Sequence, residues 1–183
     1  MRKIFAALAA LCFSVGNADA AVTWDFQETA SGVVGTLSGS LDLAGAGYVD
    51  NFPVSEGITA SLGYVGTGGT LRTYRMTSGP TVFGTGFGFA GVSSGSSFMV
   101  YGGLSWVGVA TDYVSGTALT GTHTFSGMTF ASLGIATGSY QWTMPNDTIT
   151  VNFGTTPIPL PASLPLLLGA LGLAGVVARR RKT

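Results

Sequence analysis

Apolar and polar positions alternate with period two through most of the middle of the chain. Val22-Thr-Trp-Asp-Phe-Gln-Glu28 sets the pattern. Gly57 to Val65, Leu71 to Met76, Ser97 to Tyr101, His123 to Phe125, Ser139 to Met144 and Thr148 to Phe153 repeat it. Each segment is rich in Thr, Val, Tyr, Phe or Trp and is bounded by Gly, Ser, Asn or Asp, which reads as short strands between turns. No stretch here carries a helical stripe, and the strong helix formers Lys, Glu, Gln and Arg are scarce. Evenly spaced strands predict an all-β passenger over residues 21–155, an antiparallel sandwich or barrel-like fold.

The pattern breaks at both ends. Arg2 and Lys3 precede an apolar run, Ile4 to Val15, interrupted only by Ser14. Ala18-Asp19-Ala20 then supplies the small residues that a signal peptidase accepts. Residues 1–20 therefore read as a signal peptide, helical in its apolar part and cleaved after Ala20. Cys12 is the only cysteine and lies inside that run, so the mature chain has no disulfide and no thiol chemistry. Leu11 before it argues against a lipoprotein signal.

At the other end, Leu160 to Ala178 carries no charge and is followed at once by Arg179, Arg180, Arg181 and Lys182. As a helix that run would rise about 28 Å, close to the thickness of a bilayer's hydrocarbon core. A transmembrane helix over 164–178 is expected, with the basic tail 179–183 as a cytoplasmic stop signal. The passenger then faces outward, in agreement with Arg2 and Lys3 at the opposite end. Alternating prolines hold 156–163 extended and deny it helix or ladder hydrogen bonds.

Ile158-Pro159-Leu160-Pro161-Ala162, then the apolar run, then the arginine cluster, resembles the VPLPA-CTERM variant of the PEP-CTERM sorting signals. Isoleucine stands where valine is usual, which keeps size and β-branching. The resemblance covers only the C-terminal segment. It implies inner-membrane anchoring with the passenger in the periplasm. Cleavage near the motif by an exosortase and transfer to the cell surface or outside would follow. Exported proteins of this kind occur in Gram-negative bacteria that make extracellular polysaccharide, which suggests a structural or adhesive role in exopolysaccharide or biofilm. Tyr113 to Phe153 is also similar to the closing region of many small PEP-CTERM passengers, which adds no activity. A Gram-positive sortase signal fits less well, since Leu160-Pro161-Ala162-Ser163-Leu164 lacks the required threonine and glycine.

Formal charge is zero over 183 residues, yet the distribution is uneven. Between residues 21 and 155 the acids are Asp25, Glu28, Asp42, Asp50, Glu56, Asp112 and Asp147, and the only bases are Arg72 and Arg75. An acidic passenger excludes a phosphate-tracking nucleic-acid binder. The 29 glycines suggest other motifs, but none is completed. Gly84-Thr-Gly-Phe-Gly lacks a following helix and ribose-binding acid, and Gly66-Thr-Gly-Gly69 lacks the phosphate-loop lysine. Turns and bulges account for them.

Candidate chemistry is sparse. His123 is the only histidine, and alternation leaves its ring facing either solvent or core. One histidine without a mature cysteine disfavours zinc. Calcium needs only oxygens, and Asp50-Asn51 and Asn146-Asp147, with Asp42 or Asp112, offer them, although Asx turns use the same residues. Paired carboxylates for glycoside cleavage have no distinctive spacing here. Trp24, Trp106, Trp142, Tyr48, Tyr64, Tyr74, Tyr101, Tyr113 and Tyr140 either build the core or stack on sugar rings. The expectation is a non-enzymatic protein without cofactor. Exosortase, signal peptidase, the inner membrane and extracellular polysaccharide are its partners. A carbohydrate-binding module and a secreted hydrolase are the alternatives.

Overall fold

The computed structural model describes residues 21–154. The signal peptide with Ala18 and Ala20, the motif Ile158 to Ala162, the apolar run and the stop signal Arg179 to Lys182 lie outside the described residues.

The passenger is all-β, with ten strands in two sheets. They are β1 (Ala21–Thr29), β2 (Gly32–Gly39), β3 (Tyr48–Thr59), β4 (Tyr64–Arg75), β5 (Val92–Gly95), β6 (Phe98–Tyr101), β7 (Trp106–Ala110), β8 (Gly121–Ser126), β9 (Gly138–Thr143) and β10 (Thr148–Phe153). One sheet has the order β5-β8-β2-β1-β10-β9 and the other β3-β4-β6-β7. Side chains pointing inward from both build the core: Val22, Trp24 and Phe26 from β1, Ile149, Val151 and Phe153 from β10, Phe98 and Val100 from β6. Alternate positions on β1 and β10 are partly exposed, as period two requires.

The expectation of a purely antiparallel fold needs one correction. β1 and β10 pair in parallel, from Ala21↔Thr148 to Phe26↔Phe153, while the other strand pairings are antiparallel. Parallel neighbours need a long crossover. Here the connection is the rest of the domain, so its first and last strands lie side by side in the middle of the larger sheet.

Gly57 to Val65, which alternation reads as one strand, is two strands and a turn. A one-turn 3-10 helix, Ala60–Leu62, joins β3 to β4, and Gly63 closes it at φ 57° with its N–H on the Ala60 carbonyl. The β6–β7 turn has the same build, Gly102–Leu104 closed by Ser105 at φ 55°. The β3–β4 hairpin is long and bends near Gly68 and Gly69, whose φ values of 81° and 94° favour glycine. The bend lets the first part of β4 pair with β6 (Tyr64↔Tyr101) and its last part with β7 (Arg75↔Trp106). A second apolar layer results. Leu71 and Met99 are buried but lie apart from the main core, packed over Gly108, where an added Cβ would meet both at 3.1 Å.

Candidate functional site

The curled hairpin forms a cleft. Register puts Tyr64 opposite Tyr101, Tyr101 opposite Trp106, and Phe52 opposite Leu71. The rings pack edge to face, Phe52 on Trp106 at 5.5 Å and Tyr64 on Tyr101 at 5.4 Å. Phe52, Val54, Thr59, Leu62, Tyr64 and Tyr101 line a cavity of about 320 Å³. A neighbouring one of about 310 Å³ shares Ser55, Thr59 and Tyr64 and adds Glu56 and Phe89. The tyrosine hydroxyl of residue 64 donates to the Ser55 carbonyl, which fixes the ring across the hairpin. Burial, and then the neighbouring Tyr101, pushes the Tyr64 phenol up to about 12. It is therefore neutral throughout the physiological range. The cleft offers aromatic faces with hydroxyl and carbonyl groups at their edges.

The three tryptophans have different fates. Trp24 and Trp142 are each 1% exposed, and the Trp142 indole N–H donates to the Pro80 carbonyl at 2.8 Å. Trp106 is only partly buried, with its ring packed on Phe52. Phe52, which alternation and aromatic counting passed over, is the ring that meets it. Its signal in the sequence is weak: Asn51-Phe-Pro-Val54 carries a proline that obscures a strand.

His123 points into the core. It is fully buried, 4.5 Å from the Phe125 ring and 5.8 Å from Trp24, and neither ring nitrogen has a hydrogen-bond partner. Gly91 lies against it, and a Cβ there would collide with Nε2. Burial disfavours the imidazolium and lowers the pKa to about 4, with the Glu56 charge opposing part of the shift. A ring held neutral with no hydroxyl on either nitrogen has no nucleophile to activate.

Most of the carboxylates serve the backbone, while Asp25 accepts from the Asn152 side-chain amide at 2.6 Å. Asp147 accepts from the N–H groups of Asp42 and Thr148, both at 2.6 Å, and Glu28 accepts from Phe130 N–H at 2.8 Å. Asp42 accepts from Ala44 N–H and from Ser115, Asp50 from Asn51 N–H, and Glu56 from Ser93 N–H. Folding thus brings Asp42 and Asp147 together, but through loop amides. Among the described residues no group of three or more His, Cys, Asp and Glu is arranged to hold a metal. No helix among them is long and apolar enough to cross a membrane.

The described chain ends at Gly154, whose N–H donates to the Phe26 carbonyl at 2.9 Å as β10 leaves the sheet. Only Thr155 and Thr156 separate it from a segment with a known counterpart. Residues 157–182 match the family model of the PEP-CTERM protein-sorting motif. The chain carries a PEP-CTERM sorting motif. The match contains Ile158 to Ala162 and the cluster Arg179 to Lys182. No curated protein and no solved structure matches the chain. The PEP-CTERM motif speaks to export and handling by an exosortase, and the passenger's own chemistry rests on its geometry.

Proposed function

We propose that this chain is an exported protein whose all-β passenger has a structural or adhesive role in an extracellular polysaccharide matrix, without catalysis of its own. The PEP-CTERM motif at residues 157–182 carries the reading. In it, signal peptidase cuts after Ala20, residues 164–178 span the inner membrane, Arg179 to Lys182 stay cytoplasmic, and the passenger waits in the periplasm. An exosortase then cuts near Pro161-Ala162 and the passenger reaches the surface or the medium. A role without catalysis is supported by the burial of His123 and by carboxylates occupied with loop amides. The test is fractionation of the host with and without its exosortase, and with and without its polysaccharide. Passenger retained in the matrix fraction only when both are present supports the reading. Passenger free in the medium whether or not polysaccharide is made contradicts the adhesive role.

A carbohydrate-binding module is the second reading, favoured by the cleft lined by Phe52, Tyr64 and Tyr101, with the Trp106 ring packed on Phe52. Aromatic faces stack on the apolar faces of sugar rings, and neutral hydroxyls at the edges meet sugar hydroxyls. Affinity electrophoresis in host polysaccharide gives the test. Trp106→Ala should lose most of the retardation, whereas equal retardation of the variant would place the sugar contact elsewhere. The hydrolase alternative draws no support from the placement of His123.

A further inference from the structure

Arg72 and Arg75 are the only bases between residues 21 and 155, against seven acids, and the fold sets them in different places. Both lie on β4, three positions apart, so alternation sends their side chains from opposite faces of the strand. Arg75 is exposed. Arg72 is partly buried and lines a cavity of about 310 Å³ with Tyr48 and Tyr74. Tyr74 follows two positions later on the same face as Arg72, and strand pairing puts Tyr48 opposite Tyr74. The two rings meet edge to face at 6.1 Å, with Tyr74 packed against the core and Tyr48 56% exposed.

The acid closest in register does not pair with Arg72. Asn51 stands opposite Arg72, after a register shift that begins at Tyr48. Within that irregular stretch the Asp50 carboxylate accepts from the Asn51 N–H at 2.7 Å, and the Asp50 carbonyl accepts from the Thr73 hydroxyl at 2.8 Å. Among the described residues neither an ion pair nor a hydrogen bond engages the Arg72 side chain. In a domain with this excess of acids, an arginine left open beside two aromatic rings is a receptor for a carboxylate from outside. Its planar fork of N–H donors matches the two oxygens of that group.

We propose that the cavity of Tyr48, Arg72 and Tyr74 binds an acidic sugar residue of the extracellular polysaccharide. The sugar's carboxylate meets Arg72 and its ring lies against the tyrosines. The inference rests on the matrix reading above and names the class of polymer. The cavity shares no lining residue with the aromatic cleft, so it is a separate contact. Elsewhere the acidic surface repels a polyanion. Attachment to an acidic glycan therefore needs a placed cation, and Arg72 supplies it.

The test is affinity electrophoresis of the full chain, held in a neutral detergent. Gels contain either the host's extracellular polysaccharide or the same polymer with its carboxyl groups reduced to alcohols. Arg72→Gln and Arg75→Gln remove the same charge from the same strand, so they separate the site from general electrostatics. Tyr48→Ser keeps the charge and removes an exposed ring, which tests the site without burdening the fold. The proposal expects severalfold weaker retention for Arg72→Gln and Tyr48→Ser, and wild-type retention for Arg75→Gln. Carboxyl reduction should remove most of the wild-type retention. Unchanged retention of Arg72→Gln, or equal losses in the two arginine variants, would overturn the site. Retention that survives carboxyl reduction would also overturn it while leaving the matrix role standing. No retention in the native polymer would overturn the matrix reading, and this inference with it.

Discussion

The two ends of strand β10 are closed by different chemistry. At its start, the Asp147 carboxylate, 6% exposed, takes the N–H groups of Asp42 and Thr148, while Tyr113 and Ser115 take those of Leu41 and Leu43. Polar side chains there satisfy loop amides that would otherwise be buried without partners. At its end, Phe153 packs among Phe26, Phe83, Phe130 and Tyr140, and aromatic rings rather than a buried carboxylate close the core. One sheet therefore supports both a sealed polar end and an aromatic one. Exposed hydrocarbon gathers instead around the two 3-10 turns, at Leu62, Leu104, Val82 and Phe87.

The comparison breaks most severely at Phe153. Phe153→Ala removes a fully buried ring packed against four aromatic neighbours, and about 4 kcal/mol of stability should go with it in urea unfolding. Acid should act next, through the core between the two ends. His123 is neutral when folded and takes a proton more readily once unfolded. Its share of stability is complete above about pH 6.5 and is lost as the pH falls toward 4, then levels off below. That window corresponds to at most about 3 kcal/mol. His123→Phe should flatten the slope, and an unchanged pH profile would show that another group sets it. Asp147→Ala comes third, leaving two amides without an acceptor at the start of β10, at a cost of about 2 kcal/mol in the same assay. Phe87→Ser sharpens the contrast from the other side. An exposed ring with no structural task should change stability by less than about 0.5 kcal/mol.

Much of this fold is legible in the chain because its strands are half-buried and follow period two. Val22 to Glu28, Ser139 to Met144 and Thr148 to Phe153 read directly as β1, β9 and β10. β2 is hidden because Gly32-Val-Val-Gly-Thr-Leu-Ser-Gly39 uses glycine where alternation looks for a side chain. The physical reason is at Gly35, where the Phe26 ring of the adjacent strand occupies the space a Cβ would need. The bend near Gly68 and Gly69 is a tertiary property, so the cleft it creates cannot be read from spacing. His123 illustrates the same limit, since alternation fixes which neighbours share its face but not which face is buried. The sorting segment is the opposite case, a linear motif that residues 157–182 alone sufficed to reveal.

The most direct test of the account is the intact mass of the protein recovered from its own host, with and without the exosortase. The account predicts a species beginning at Ala21 and ending near Ala162 that forms only when the enzyme is present. A species that keeps Arg179 to Lys182 in both hosts would contradict it and reduce the C-terminal segment to an anchor.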